Sequence, residues 1–209
     1  MSFRSTFVAA SLLTAVPLAF STAPASAQVT DAKMVNGWFL AKIAAEPTMR
    51  NSCIAHTTFA DGTKIQLDFF TSGALGGKLS FENEDWSSLN QVELGGGGKP
   101  DPMMSLKVSF EGGTAAPIET DFRVAPRLFP RGAVLRDKPG LYKFFDTDPF
   151  GALVINLAQA STLVVTSGER TIGRWPLTGS KGAMLALLEC ARSVATDQQR
   201  RLENDPFRK

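Results

Sequence analysis

His56 is the only histidine of the chain, and it stands in a stretch, Cys53 to Phe59, whose β-branched and aromatic residues read as a strand. An imidazole titrates near neutral pH, so His56 oriented by Asp68 on the same outward face could act as a general base. No activated nucleophile accompanies it in the sequence, and an ordinary surface side chain is the simpler reading. One histidine also removes histidine-rich metal centres and most zinc chemistry. Ser180, in Gly179-Ser180-Lys181-Gly182 between a strand and a helix pattern, occupies the place of a hydrolase nucleophile elbow. Thr178 stands where the first glycine belongs and no histidine follows Ser180, so the serine reads as a helix cap. The run Gly95-Gly96-Gly97-Gly98-Lys99 suggests a phosphate cradle, but Pro100 replaces the required ending and a flexible connection remains. Asp146, Asp148 and Gly151 match three positions of a calcium loop, yet Phe150 and Leu157 fill two ligand positions. Glu82, Glu84 and Asp85 read as a solvated turn. No catalytic residue, metal or cofactor is assigned.

The strongest binding signal is a cationic stretch: Arg123, Arg127, Arg131, Arg136, Lys138 and Lys143, interleaved with Leu128, Phe129 and Tyr142 and opposed only by Asp137. Guanidinium groups grip phosphates and carboxylates bidentately, so such a surface suits lipopolysaccharide, an acidic wall polymer or an acidic envelope protein. The plain alternative is a solvated loop whose charges balance acidic residues elsewhere. Nucleic acid is excluded as a partner by export and by an overall charge of only +2, part of it contributed by Arg4. Trp38, Trp86 and Trp175 each lie in or beside a strand pattern and read as core or core-rim residues.

Export itself is read from the first 27 residues. Arg4 provides the positive region, Phe7 to Phe20 is apolar, and Ala25-Ser26-Ala27 before Gln28 has the small-residue form of a cleavage site. The apolar run is shorter than the roughly 20 residues that a membrane span needs. Residues 1–27 are thus expected to be a signal peptide and 28–209 a single soluble domain with a frayed C-terminal tail, periplasmic or secreted, of undetermined oligomeric state. In an oxidising compartment Cys53 and Cys190, the only cysteines, are expected to form a disulfide.

These residues need elements to position them. Strands are expected over 35–45, 53–59, 64–70, 78–81, 104–110, 118–124 and 141–145, separated by glycine-, proline- and aspartate-bearing turns that favour antiparallel meanders. For the first hairpin, a three-residue loop Ala60-Asp61-Gly62 with Gly62 left-handed pairs Cys53 with Phe69, Ala55 with Leu67 and Thr57 with Ile65. That register turns Cys53 into the core and His56 towards water beside Gln66. Asp148 and Pro149 open a helix with apolar Phe150, Leu153, Val154, Leu157 and Ala158; residues 162–166 and 171–177 form a second hairpin about Gly168-Glu169. A last helix, capped by Ser180, runs from Lys181 to about Leu202, with Cys190 on the edge of its buried stripe.

Trp38, Cys53, Asp61-Gly62-Thr63, the segment from Asn83 to Trp86, and Leu177-Thr178-Gly179-Ser180 before the Cys190 helix together resemble a group of small secreted proteobacterial proteins of unknown function. A weaker likeness, confined to the C-terminal Leu-x-Gly-x helix segment, is to the invasion-associated locus B family of exported envelope proteins. That family usually carries more cysteines. The resemblance implies location and fold, and no catalytic residues. The expectation is an α+β domain, an antiparallel sheet of meanders and hairpins, sandwich-like in one version, packed by a short and a longer C-terminal helix. Its function is expected to be non-catalytic binding of a macromolecular or anionic partner. The alternatives are a hydrolase using Ser180 or carboxylates from Glu82, Asp85, Asp146 and Asp148, and a small-molecule carrier with a pocket between sheet and helices.

Overall fold

A computed structural model describes residues 28–44, 52–70, 75–91, 102–125 and 138–203. The expected signal peptide, the glycine run and the C-terminal tail lie outside them. So do Arg127, Arg131 and Arg136.

The chain opens with two strands, β1 (Gln28–Val35) and β2 (Trp38–Ala44), where a single strand from Val35 to Ala45 is expected from composition. Asn36 and Gly37 lie between them at φ 49° and 87°. Positive φ at both central residues is what a two-residue hairpin of the primed type demands, and Asn-Gly supplies it at least steric cost. The next hairpin, β3 (Ser52–Thr58) and β4 (Lys64–Phe70), adopts the anticipated register, with Cys53 opposite Phe69, Ala55 opposite Leu67 and Gly62 at φ 78°. After β5 (Leu75–Glu82) and a 3-10 turn (Ser87–Gln91) come β6 (Met103–Glu111), β7 (Ile118–Ala125) and β8 (Gly140–Asp146).

Helix α1 (Thr147–Gln159) begins earlier than the Asp148-Pro149 signal suggests. Strand β8 remains paired as far as Asp146 opposite Leu75, and Asp146 is therefore the extended residue before the helix, its side chain making no capping bond. Pro149 still falls in the first turn, where backbone N–H groups have no helical acceptor. The β9 (Thr162–Ser167) and β10 (Arg170–Pro176) hairpin and helix α2 (Ser180–Glu203) complete the chain. The Gly179 carbonyl accepts the Ala183 N–H at 3.2 Å, which puts Gly179, not Ser180, in the capping position. Ser180 is the first helical residue and is buried.

All these strands join one antiparallel sheet in the order β1-β2-β3-β4-β5-β8-β7-β6-β9-β10. The fold is α+β, as expected. The sheet is open but bent back on itself. Trp175 of edge strand β10 stacks on Phe81 of β5 at 5.8 Å and lies 5.9 Å from Phe59, although β10 and β5 are five places apart in the sheet. One inner face therefore packs partly against itself and partly against the helices: α1 covers β5 and β8, α2 covers β2 and β3, and the two helices meet. Ile65, Leu67, Phe81, Phe122, Leu153, Leu157, Leu163, Met184 and Leu187 form this core. Such burial contributes roughly 1.5–3 kcal/mol per large side chain.

Candidate binding surface

The cysteines meet where α2 crosses β3. Cys53, fully buried on the inner face of β3, and Cys190 of α2 are bonded through their sulfurs with a Cα separation of 6.0 Å. This disulfide-compatible pair spans 137 residues of sequence. Beside it Lys42 of β2 reaches Asp197 of α2 at 3.1 Å, a second tie between the same two layers.

The candidate catalytic groups stay apart. Glu82 pairs across the sheet with Gly140, while Asp146 pairs with Leu75 at the other end of β5. Seven residue steps of extended chain separate these ends by about 23 Å. Asp148 is exposed in the first turn of α1, Asp85 is exposed in the turn after β5, and Ser180 is buried. Among the described residues no group of three His, Cys, Asp or Glu side chains has metal-binding geometry.

A polar junction not evident from sequence ties the β3–β4 turn to edge strand β10. In the β3–β4 turn, one carboxylate oxygen of Asp61 accepts the Thr63 N–H at 3.0 Å and the other accepts Trp175 Nε1–H at 2.8 Å. Asn83 Nδ2 donates to the Asp61 carbonyl at 3.2 Å and to Thr63 Oγ1 at 2.8 Å. Burial alone would raise the Asp61 pKa, but the hydrogen bonds from Trp175 and Thr63 outweigh it and hold the carboxyl below its ordinary value. Asp61-Gly62-Thr63 and Asn83 thus have a structural task. The signal for it was the Asx-turn composition of Asp-Gly-Thr, though the distant tryptophan left no mark in sequence.

The face of the central strands turned away from the helices carries the polar side chains, of which few are exposed. One row of cross-strand neighbours runs Phe39, His56, Gln66, Ser80, Tyr142, Arg123; the next runs Ala41, Ile54, Asp68, Lys78, Phe144. Because strand side chains alternate, these rows lie opposite the core residues Leu40, Ala55, Leu67 and Leu79. Asp68 is buried, ion-paired with Lys78, and accepts Gln66 Nε2–H at 2.7 Å. Ser80 is fully buried, and its hydroxyl has no hydrogen-bond partner among the described residues. His56 lies beside Gln66 as expected, but half-buried, its ring 4.8 Å from Phe39. Desolvation lowers its pKa, Lys64 lowers it further, and Asp68 opposes them. His56 and Ser80 are two strands apart, about 10 Å, so they form no proton relay.

Aromatic rings top this face. Phe144 stacks on Phe70 at 6.1 Å and meets Tyr142 edge-on at 5.7 Å. Arg123 projects exposed from β7 opposite Tyr142, four residues before Arg127. The other described cations of the basic stretch stand elsewhere. Lys138 is held by Glu84 at 3.0 Å, and Lys143 shares its strand face with Leu141 and Phe145, opposite to that of Arg123. Trp38 and Trp175 are buried core residues, as the sequence suggests, while Trp86 is partly exposed at the rim. No helix among the described residues is long and apolar enough to cross a membrane.

No family model matches this chain, and no curated protein matches it. Among solved structures it is similar to invasion associated protein B from Bartonella henselae, at 11% sequence identity and a TM-score of 0.47, over 78% of this chain and 99% of that one. The likeness is weak, as is the one drawn from the C-terminal helix segment.

Proposed function

We propose that this chain is an exported, non-catalytic envelope protein that binds an anionic partner, an envelope protein or an acidic polymer, through the outward face of β7 and β8 and the basic segment after β7. The observation that carries this reading is exposed Arg123 in register with Tyr142 and beside Phe144, directly upstream of Arg127, Arg131 and Arg136. Aromatic rings next to guanidinium groups suit acidic ligands, because the rings contribute contact area while the cations contribute charge-assisted hydrogen bonds. Lys138 and Lys143 flank this surface in sequence. Residues 1–27 serve as the signal peptide, and a cross-link between Cys53 and Cys190 suits an oxidising compartment, periplasmic or extracellular. Residues 28–209 act as one unit.

The test compares the oxidised mature protein with a variant in which Arg123, Arg127, Arg131 and Arg136 are each changed to Glu, in pull-downs from solubilised envelope and in binding to isolated lipopolysaccharide and wall polymer. Retention by the wild type that weakens with salt and is lost on charge reversal supports the proposal. Undiminished association of the reversed variant rules it out.

A further inference from the structure

A second, separate site lies where the 3-10 turn Ser87–Gln91 faces the β9–β10 hairpin. A cavity of about 220 Å³ opens there. Trp86, Leu89, Met104, Leu141 and Ile172 make its walls apolar, and Arg170, the first residue of β10, stands at its edge. Leu89 and Leu141 are buried and form the floor, while Trp86, Met104 and Ile172 are partly open to solvent. Arg170 is exposed and has no ion pair or hydrogen bond from its side chain among the described residues. The Trp86 indole N–H likewise has no described acceptor. By contrast Arg174, four residues along the same strand, is engaged by Glu111.

We propose that this cavity binds a small amphiphilic carboxylate: an acyl or aryl body against Trp86, Met104 and Ile172, its carboxylate on Arg170. Three observations converge on that class. Apolar walls with a few polar groups at the rim are the general form of a small-ligand site. The volume is below the usual 300 Å³ or more of drug-sized sites, which limits the occupant to a short chain or a single ring. An exposed guanidinium that no described residue engages suits an anion, and its planar fork matches a carboxylate. The site is independent of the Arg123 surface.

Fluorescence provides a direct test, because Trp38 and Trp175 are 1% and 2% exposed and Trp86 alone of the three is open to a quencher. The oxidised mature protein is titrated with octanoate while acrylamide quenching is followed, with octanol and octylamine as arms. Octanoate is expected to protect Trp86 saturably, octanol more weakly and octylamine least. Arg170→Gln should weaken octanoate roughly fivefold and leave octanol unchanged, as fits a partly exposed ion pair. Met104→Gln should weaken both. No saturable protection by octanoate at millimolar concentrations, octylamine equal to octanoate, or an Arg170→Gln variant with wild-type affinity would each overturn the proposal. Thermal melts confirm that each variant is folded.

Discussion

Asp61 engages both carboxylate oxygens, one within its own turn and one with Trp175 on a strand from the far end of the sheet. Asp61→Ala removes the acceptor for the indole N–H and is expected to cost about 1 kcal/mol in urea denaturation. Since the folded pKa of Asp61 lies below its ordinary 3.8, its contribution is full above that value and disappears as pH falls through the folded pKa. His56 acts at higher pH with the same sign. Its folded pKa is below 6.5, so the unfolded chain takes up the proton first and stability declines as pH drops through 6.5 towards the folded value. His56→Gln should flatten the upper part of this pH profile and Asp61→Ala the lower part, which separates the two. Ser80 behaves differently: its buried hydroxyl has no partner among the described residues, so Ser80→Ala is expected to be neutral or stabilising by up to about 1 kcal/mol. A loss above that would mean that the hydroxyl is satisfied in solution.

At the scale of elements, the β1–β2 hairpin and helix α2 meet at Gly179. The glycine is at φ 78°, and an added Cβ would run into the carbonyl oxygen and Cβ of Asn36. Gly179→Ala is therefore expected to cost well over 1 kcal/mol, whereas the same change at partly exposed Gly151, where a Cβ meets nothing within 4 Å, should be neutral or slightly stabilising. Equal melting temperatures for the two variants would refute this. The hairpin register about Asp61-Gly62 was legible because only one loop length places Cys53, Ala55 and Thr57 with Phe69, Leu67 and Ile65. The β1 strand was not, since Asp31, Lys33 and a bulge between Thr30 and Lys33 break its alternation. Asn36-Gly37 was the stronger sign, and it marks the hairpin directly. The start of α1 shifted for a related reason, as pairing of β8 through Asp146 overrode the local capping signal at Asp148.

For the whole molecule, the link between Cys53 and Cys190 ties the first half of the sheet to the last helix. In the chain-entropy model, closing a loop of this length stabilises the fold by about 5 kcal/mol. Replacing both cysteines by Ser, or reducing the protein, should lower its denaturation midpoint correspondingly; a midpoint unchanged by reductant would show that the bond is absent from the folded protein. The bend that carries β10 round to β5 is a property of the whole sheet as well. It rests on Trp175, whose ring lies over Gly173 at the β10 bulge, where a Cβ would collide with it.

The sequence alone determined the α+β class, most strand and helix positions, and the cysteine pair, because these follow from short-range periodicity, turn chemistry and the count of residue types. It also identified the cationic stretch as the candidate surface. Only the tertiary structure decided which of those residues are neighbours. Arg123 is brought beside Tyr142 and Phe144 while Lys143, one residue from Tyr142, faces the other way, since strand pleating separates adjacent side chains and pairing joins distant ones. The Asp61–Trp175 bond and the cavity beneath Arg170 were likewise invisible in sequence, for both are made by a sheet closing on itself across more than 80 residues of chain.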